Sequence, residues 1–164
     1  KAMKNKHAAK PRETQTTGFT LSELVVAVAI TGTLSAIAIP SYLAQLARSQ
    51  QQSAQATISG IKTVIASYAD ETGELPTTWD QLNGITAIMT SKGEATGSID
   101  TAITLPEGHY QVSITGPNQS LYEIEADRID NTKNHDIKAC LEMSNGASII
   151  TKGDGTTSAI KPTC

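Results

Sequence analysis

Residues 18 to 40 read GFTLSELVVAVAITGTLSAIAIP, and the 21 positions from Phe19 to Ile39 hold one charge, Glu23. As a helix, 21 residues rise about 30 Å, the thickness of a bilayer hydrocarbon core. Residues 1 to 18 carry Lys1, Lys4, Lys6, Lys10 and Arg12 against Glu13, a net of +4; taking this from the formal −3 of the 164-residue chain leaves −7 for the remainder. A basic flank on the N-terminal side predicts a cytoplasmic N-terminus. Only 38% of the residues are hydrophobic, and they are densest in this run. That distribution excludes both a multi-span membrane protein and an apolar-poor disordered chain.

Two general readings of the run are a secretory signal peptide, with small residues at Ala36 and Ala38, and a simple membrane anchor. Neither explains Glu23, since a carboxylate inside hydrocarbon costs up to about 3 kcal/mol, less near the interface. The string Gly18, Phe19, Thr20, Leu21 and Glu23, followed by Gly32, AIAIP ending at Pro40, and Tyr42, closely resembles the N-terminal motif of type IV pilins and related pseudopilins. The resemblance covers about 25 positions. It implies that a prepilin peptidase cleaves between Gly18 and Phe19 and methylates the new Phe19 amine, leaving residues 1–18 as a cytoplasmic leader. It further implies that Glu23 meets the Phe19 amine of an adjacent subunit. In an apolar surround such a pair sets register more than it adds stability. In the family, the segment here spanning Gly32 to Pro40 can lose helicity on assembly. Ser22, Thr31 and Thr33 depart from the bulky apolar residues usual there; their hydroxyls can bond to the helix's own carbonyls.

Beyond Pro40 a helical period continues through Leu43, Leu46, Ala47, Ala54, Ile58, Ile61, Ile65 and Tyr68, an apolar stripe. Arg48, Gln50, Gln51, Gln52, Gln55 and Lys62 lie between and are expected to face water. Gly73 and Pro76 supply a stop. One helix is therefore expected from about Leu21 to Asp70, apolar over 19–39 and amphipathic over 40–72, with Pro40 bending it. Residues 73–164 form the globular head.

Gly73 to Gly84, GELPTTWDQLNG, suggests a turn that tucks the lone Trp79 into the core, and Thr86 to Gly97 a connecting loop with a short strand. Alternation then predicts strands at Ile99 to Leu105, Tyr110 to Ile114, Tyr122 to Ala126, Ile137 to Met143 and Ala147 to Thr151. Turns at LPEGH and GPNQS separate them. The expected fold is α+β: an antiparallel meander of four or five strands packed on the long helix, with Glu123, Glu125 and Asp127 facing solvent.

Cys140 and Cys164, the only cysteines, stand 24 apart, which suits one disulfide more than a metal site. Outside the cytoplasm oxidation is expected, and in a reducing compartment two free thiols are the alternative. The bridge would resemble the C-terminal disulfide-bounded region of type IV pilins. No catalytic motif is present: His7, His109 and His135 are scattered, and no cofactor is implied. Asp127, Asp130, Asp136, Asn131 and Asn134 form an acidic loop without EF-hand spacing, read as a solvated loop with no metal. The net −7 disfavours nucleic acid, with a local patch at Lys152 and Lys161 the exception to consider.

The resemblance thus implies a structural subunit of a type IV pilus, partnered by other subunits, the prepilin peptidase and an inner-membrane assembly platform. As a precursor it would cross the inner membrane once. A minor pilin or a type II secretion pseudopilin would share this architecture. A secreted binding module with an ordinary signal peptide would not.

Overall fold

The computed structural model describes residues 18–130 and 133–164. The leader, except Gly18, lies outside the described residues, as does Asn131. The chain divides into two compact units, Lys1–Ser41 and Tyr42–Cys164. Helix α1, Leu21–Thr72, runs through both and contains Pro40. Gly73 ends it in the left-handed region (φ 72°), its N–H donating to the Ala69 carbonyl at 2.9 Å.

In the first unit, the apolar side chains from Phe19 to Ile39 stand in the open, 55% to 88% exposed. Thr31 and Thr33 bond back to the helix's own carbonyls as expected, joined by Ser35, whereas Ser22 Oγ lies 3.1 Å from Thr20 Oγ1 instead. Thr31 Oγ1 donates to the Ala27 carbonyl, Thr33 Oγ1 to Ile30 and Ser35 Oγ to Thr31, each at 2.8 Å.

The second unit is an α+β head. A five-stranded antiparallel meander, in the order β3-β4-β5-β6-β7, is built from β3 (Ile103–Thr104), β4 (Tyr110–Asn118), β5 (Leu121–Arg128), β6 (Ile137–Glu142) and β7 (Ser148–Lys152). Its inner face presents Tyr110, Val112, Ile114, Tyr122, Ile124, Ala126, Ile137, Ala139 and Leu141, all buried in one core with Ala54, Ile58, Ile61 and Ile65 of α1. Trp79 closes that core from α2 (Trp79–Asn83), a short helix started by a Thr78/Gln81 capping box. Its indole N–H donates to the Thr101 carbonyl at 3.2 Å. The fully buried Tyr122 hydroxyl donates to the Pro76 carbonyl at 2.8 Å, fastening the end of α1 to the sheet.

The short strand expected between Thr86 and Gly97 is a hairpin, β1 (Met89–Thr90) with β2 (Gly93–Glu94). The strand read at Ile99 to Leu105 shrinks to Ile103–Thr104. Ile99 N–H donates to the Thr77 carbonyl and Thr101 N–H to Ser98, so those residues form a turn although Ile99 is buried. GPNQS is not wholly a turn either: β4 continues to Asn118 through a register shift and a cis Gly116–Pro117 peptide, and the reversal falls at Gln119 and Ser120.

The helix stripe also differs. Leu43 and Leu46 are exposed, and the buried face begins at Gln51 and Ala54. Low on this half of α1, Glu107, His109 and Gly153 bond to Ser53, Gln50 and Gln51 respectively. Two residues expected to be wet are inside. Gln51 is buried because its amide donates to the Gly153 carbonyl at 2.8 Å and to Asp136 at 3.4 Å. Lys62, 8% exposed, donates to Ser148 Oγ of β7 at 2.7 Å. No carboxylate pairs with it among the described residues, and burial lowers its pKa from the ordinary 10.5.

A buried charge without a counter-ion opposes folding. Because its folded-state pKa lies below the unfolded value, the penalty is full below the folded pKa and fades as pH rises towards 10.5. Lys62→Met is expected to stabilise the full chain in detergent by about 1 kcal/mol, raising the melting midpoint by about 3 °C at pH 7. An unchanged or lower midpoint would show that the ammonium is adequately solvated.

Candidate assembly helix and tail clasp

The N-terminus of α1 is organised by a motif whose signal was present in the sequence as Thr-x-x-Glu. Thr20 N–H donates to Glu23 Oε2 at 2.9 Å and Thr20 Oγ1 to the same oxygen at 2.8 Å, while Glu23 N–H donates back to Thr20 Oγ1 at 3.3 Å. This is a capping box with Glu23 at its third helical position. Negative charge in a first turn also complements the helix dipole. Both bonds to the carboxylate fall on Oε2, and among the described residues Oε1 has none. Gly18 and Phe19 precede the helix, exposed. Gly32 has open space where a side chain would go, so close packing within the described chain does not explain it. The backbone is helical from Gly32 through Pro40.

At the far end of the chain, the tail after β7 is clasped to the head. Cys140 on β6 is joined to Cys164, with Cα atoms 6.0 Å apart. Closing a loop of this length removes about 3.5 kcal/mol of unfolded-state freedom in the loop-entropy treatment. Along the way, Gly153 N–H donates to the Asp136 carbonyl at 2.9 Å, Gly155 N–H to Asn134 at 2.7 Å and Ala159 N–H to Asp136 Oδ1 at 2.7 Å. Thr151 Oγ1 donates to the Ile160 carbonyl, and Lys161 pairs with Glu123 at 2.8 Å.

These contacts revise several expectations. Asp136 is buried and receives the tail, so it does not belong to a solvated loop. Asp130 pairs with Arg128 at 2.6 Å, and among the described residues no group of acidic, His or Cys side chains is arranged to hold a metal. Arg128 also donates to Gln50 Oε1 at 3.0 Å and lies 5.8 Å from the Tyr110 ring centre, tying β5 to α1. Lys161 is engaged by Glu123, which is half-buried, so the two lysines of the tail do not act as one patch. Glu125 and Asp127 face solvent as expected.

The sequence comparisons agree with this architecture. Residues 15–39 match the prokaryotic N-terminal methylation motif. A fimbrial protein of Neisseria meningitidis serogroup A is 30% identical over 153 residues, covering 82% of this chain and 89% of that protein. The type IV major fimbrial protein FimA of Dichelobacter nodosus is 38% identical over 96 residues, covering 54% of this chain and 62% of FimA. The type IV major pilin protein PilA of Myxococcus xanthus is 44% identical over 54 residues, 33% of this chain and 24% of PilA. No solved structure matches. A long helix with an exposed apolar first half, a meander head and this relationship define a fimbrial structural subunit. The chain belongs to the type IV pilin family.

Gly153 is the least replaceable point of the clasp. A Cβ there would lie 2.5 Å from the Asn134 carbonyl oxygen and 2.8 Å from Asp136 Oδ1. Gly153→Ala is expected to cost about 2 kcal/mol or more, since the obstacles are largely backbone. Limited proteolysis of the oxidised chain should then cut the tail before the sheet. Wild-type resistance in that variant would show that the clasp yields without loss.

Proposed function

We propose that this chain is made as a membrane precursor held by residues 19–39, cleaved between Gly18 and Phe19, methylated at the Phe19 amine, and assembled through α1 into a cell-surface filament. The observation that carries this reading is the exposed apolar half of α1, bearing one carboxylate in the first turn of a methylation-motif match. Cleavage before the apolar run keeps the helix on the subunit. The same surface can then exchange lipid contacts for helix contacts in a filament core.

Glu23 has a defined task in this scheme. Cleavage creates a cation at Phe19, and Glu23 Oε1 is open to the amine of an adjacent subunit while Oε2 holds the Thr20 cap. The pair offsets part of the desolvation of both charges and fixes axial register. Gly32 and Pro40 would serve as the points where α1 adjusts in the filament, Pro40 lacking an N–H and Gly32 lacking a side chain. The peptidase and the assembly platform supply processing and extrusion, and the subunit itself performs no catalysis. The acidic balance beyond the leader, −7, argues against nucleic acid as the main partner.

Two measurements test this. Mass spectrometry of the mature protein should find N-methylated Phe19 as the first residue; a start at Ile39 or a retained leader would refute the scheme. Glu23→Ala should be cleaved and inserted normally yet yield roughly tenfold fewer sheared filaments, as expected when one partner of a desolvated pair is lost. Wild-type filament yield from Glu23→Ala would reject the register role.

A further inference from the structure

The two edges of the head sheet carry opposite charge. On the β7 side, α1 and β7 run antiparallel: Lys62 meets Ser148, and Gln51 meets Gly153. Eleven residues of helix and five of strand each cover about 16 Å, so the two stay in step. This seam holds Lys62, buried against Ser148, and at its other end Arg48 and Lys152, which line one 280 Å³ cleft with Gln51, Gln52, Gly153 and Asp154. None of the three cations has a carboxylate partner among the described residues. The single acid in the cleft, Asp154, is exposed and ionised, its Oδ1 accepting from Thr156 N–H, Thr157 N–H and Thr156 Oγ1 at 2.7 to 2.8 Å, so Arg48 and Lys152 leave the cleft with one net positive charge. Those bonds hold the Asp154 pKa well below the usual carboxylate range.

At the opposite edge, β3 is bordered by the β1–β2 hairpin, where Ser91 N–H donates to the Thr104 carbonyl at 3.0 Å. The segment 73–107 that builds this edge contains Glu74, Asp80, Glu94, Asp100 and Glu107 against Lys92 alone. All five acids are exposed. A cationic seam is unusual on a chain this acidic, and in Lys62 it includes a buried charge that opposes folding of the isolated subunit. Head-to-tail association, the kind that builds open filaments, joins two different surfaces of one molecule. Opposite charges on opposite edges are the complement it needs.

We propose that the α1–β7 seam is a contact surface for a second copy of this chain, receiving the acidic β3 edge of its neighbour, with Arg48, Lys62 and Lys152 facing carboxylates that include Glu94 and Asp100. The proposal rests on the filament reading and adds the surfaces and the specificity of the head contacts. In the filament Lys62 gains the counter-ion it lacks in the single chain.

Charge exchange tests this in cells producing the full chain. Arg48→Glu with Lys152→Glu, and separately Glu94→Lys with Asp100→Lys, should each lower the sheared-filament yield roughly tenfold by placing like charges in contact. The membrane pool, N-terminal processing and the Cys140–Cys164 bridge should be unchanged. A chain carrying all four substitutions should regain most of the yield. Lys62→Met should lower the yield severalfold while melting higher than wild type. Wild-type yields from either pair, or no recovery in the fourfold variant, would overturn the contact. Loss of the membrane pool from Arg48→Glu with Lys152→Glu would overturn it in favour of an anionic lipid surface as the occupant. Absence of filaments from the wild-type chain would overturn the filament reading and this contact together, so the two failures are told apart.

Discussion

The apolar surface of α1 between Phe19 and Ile39 is the constraint on which the rest of the molecule depends. Ten large apolar side chains there stand 55% to 88% exposed. Leaving them in water forgoes on the order of 15 kcal/mol of burial, comparable to the whole stability of a typical domain. No element of the chain's own covers them among the described residues. In the proposed scheme a membrane, and then other copies of the same helix, would do so. The second half of α1 solves a different problem by burying Ala54, Ile58, Ile61 and Ile65 under the meander. One continuous helix thus has an open apolar half and a half buried under the meander, and the change at Pro40 in the sequence coincides with the division of the chain at Ser41 and Tyr42.

The head is arranged to keep its chain ends fastened. Tyr122 holds Pro76 at the top of the helix, Arg128 holds Gln50 lower down, and the disulfide with Asp136 holds the tail. The hydrogen bonds among these ties satisfy polar groups that would otherwise be stranded near the core. The result is a shell in which the outer face of β4 to β6 remains polar while the edges differ in charge.

Much of this was legible from the sequence because it is periodic or punctuated. The 3.6-residue stripe from Ala54 to Ile65, the alternation in β4 to β6, the glycine stop at Gly73 and the cysteine pair all report on their own neighbourhoods. Gln51 and Lys62 look wet in the sequence because their partners, Gly153 and Ser148, lie 102 and 86 residues away. Local polarity carries no information about such contacts. Ile99 to Leu105 alternates like a strand, but alternation says which residues are buried and not where the backbone hydrogen bonds go. The assembly role of Glu23 follows only from the family resemblance, while its capping box with Thr20 is written in the Thr-x-x-Glu spacing.

The central claim is that the same apolar face is covered by lipid before assembly and by other subunits afterwards. A polarity-sensitive fluorophore attached at Val28→Cys, with precursor membranes and purified filaments compared under lipid-soluble and water-soluble quenchers, tests it most directly. The account predicts quenching from the lipid phase in the precursor and protection from both quenchers in the filament. Quenching from water in the filament would mean that the face is not buried there, and would contradict it.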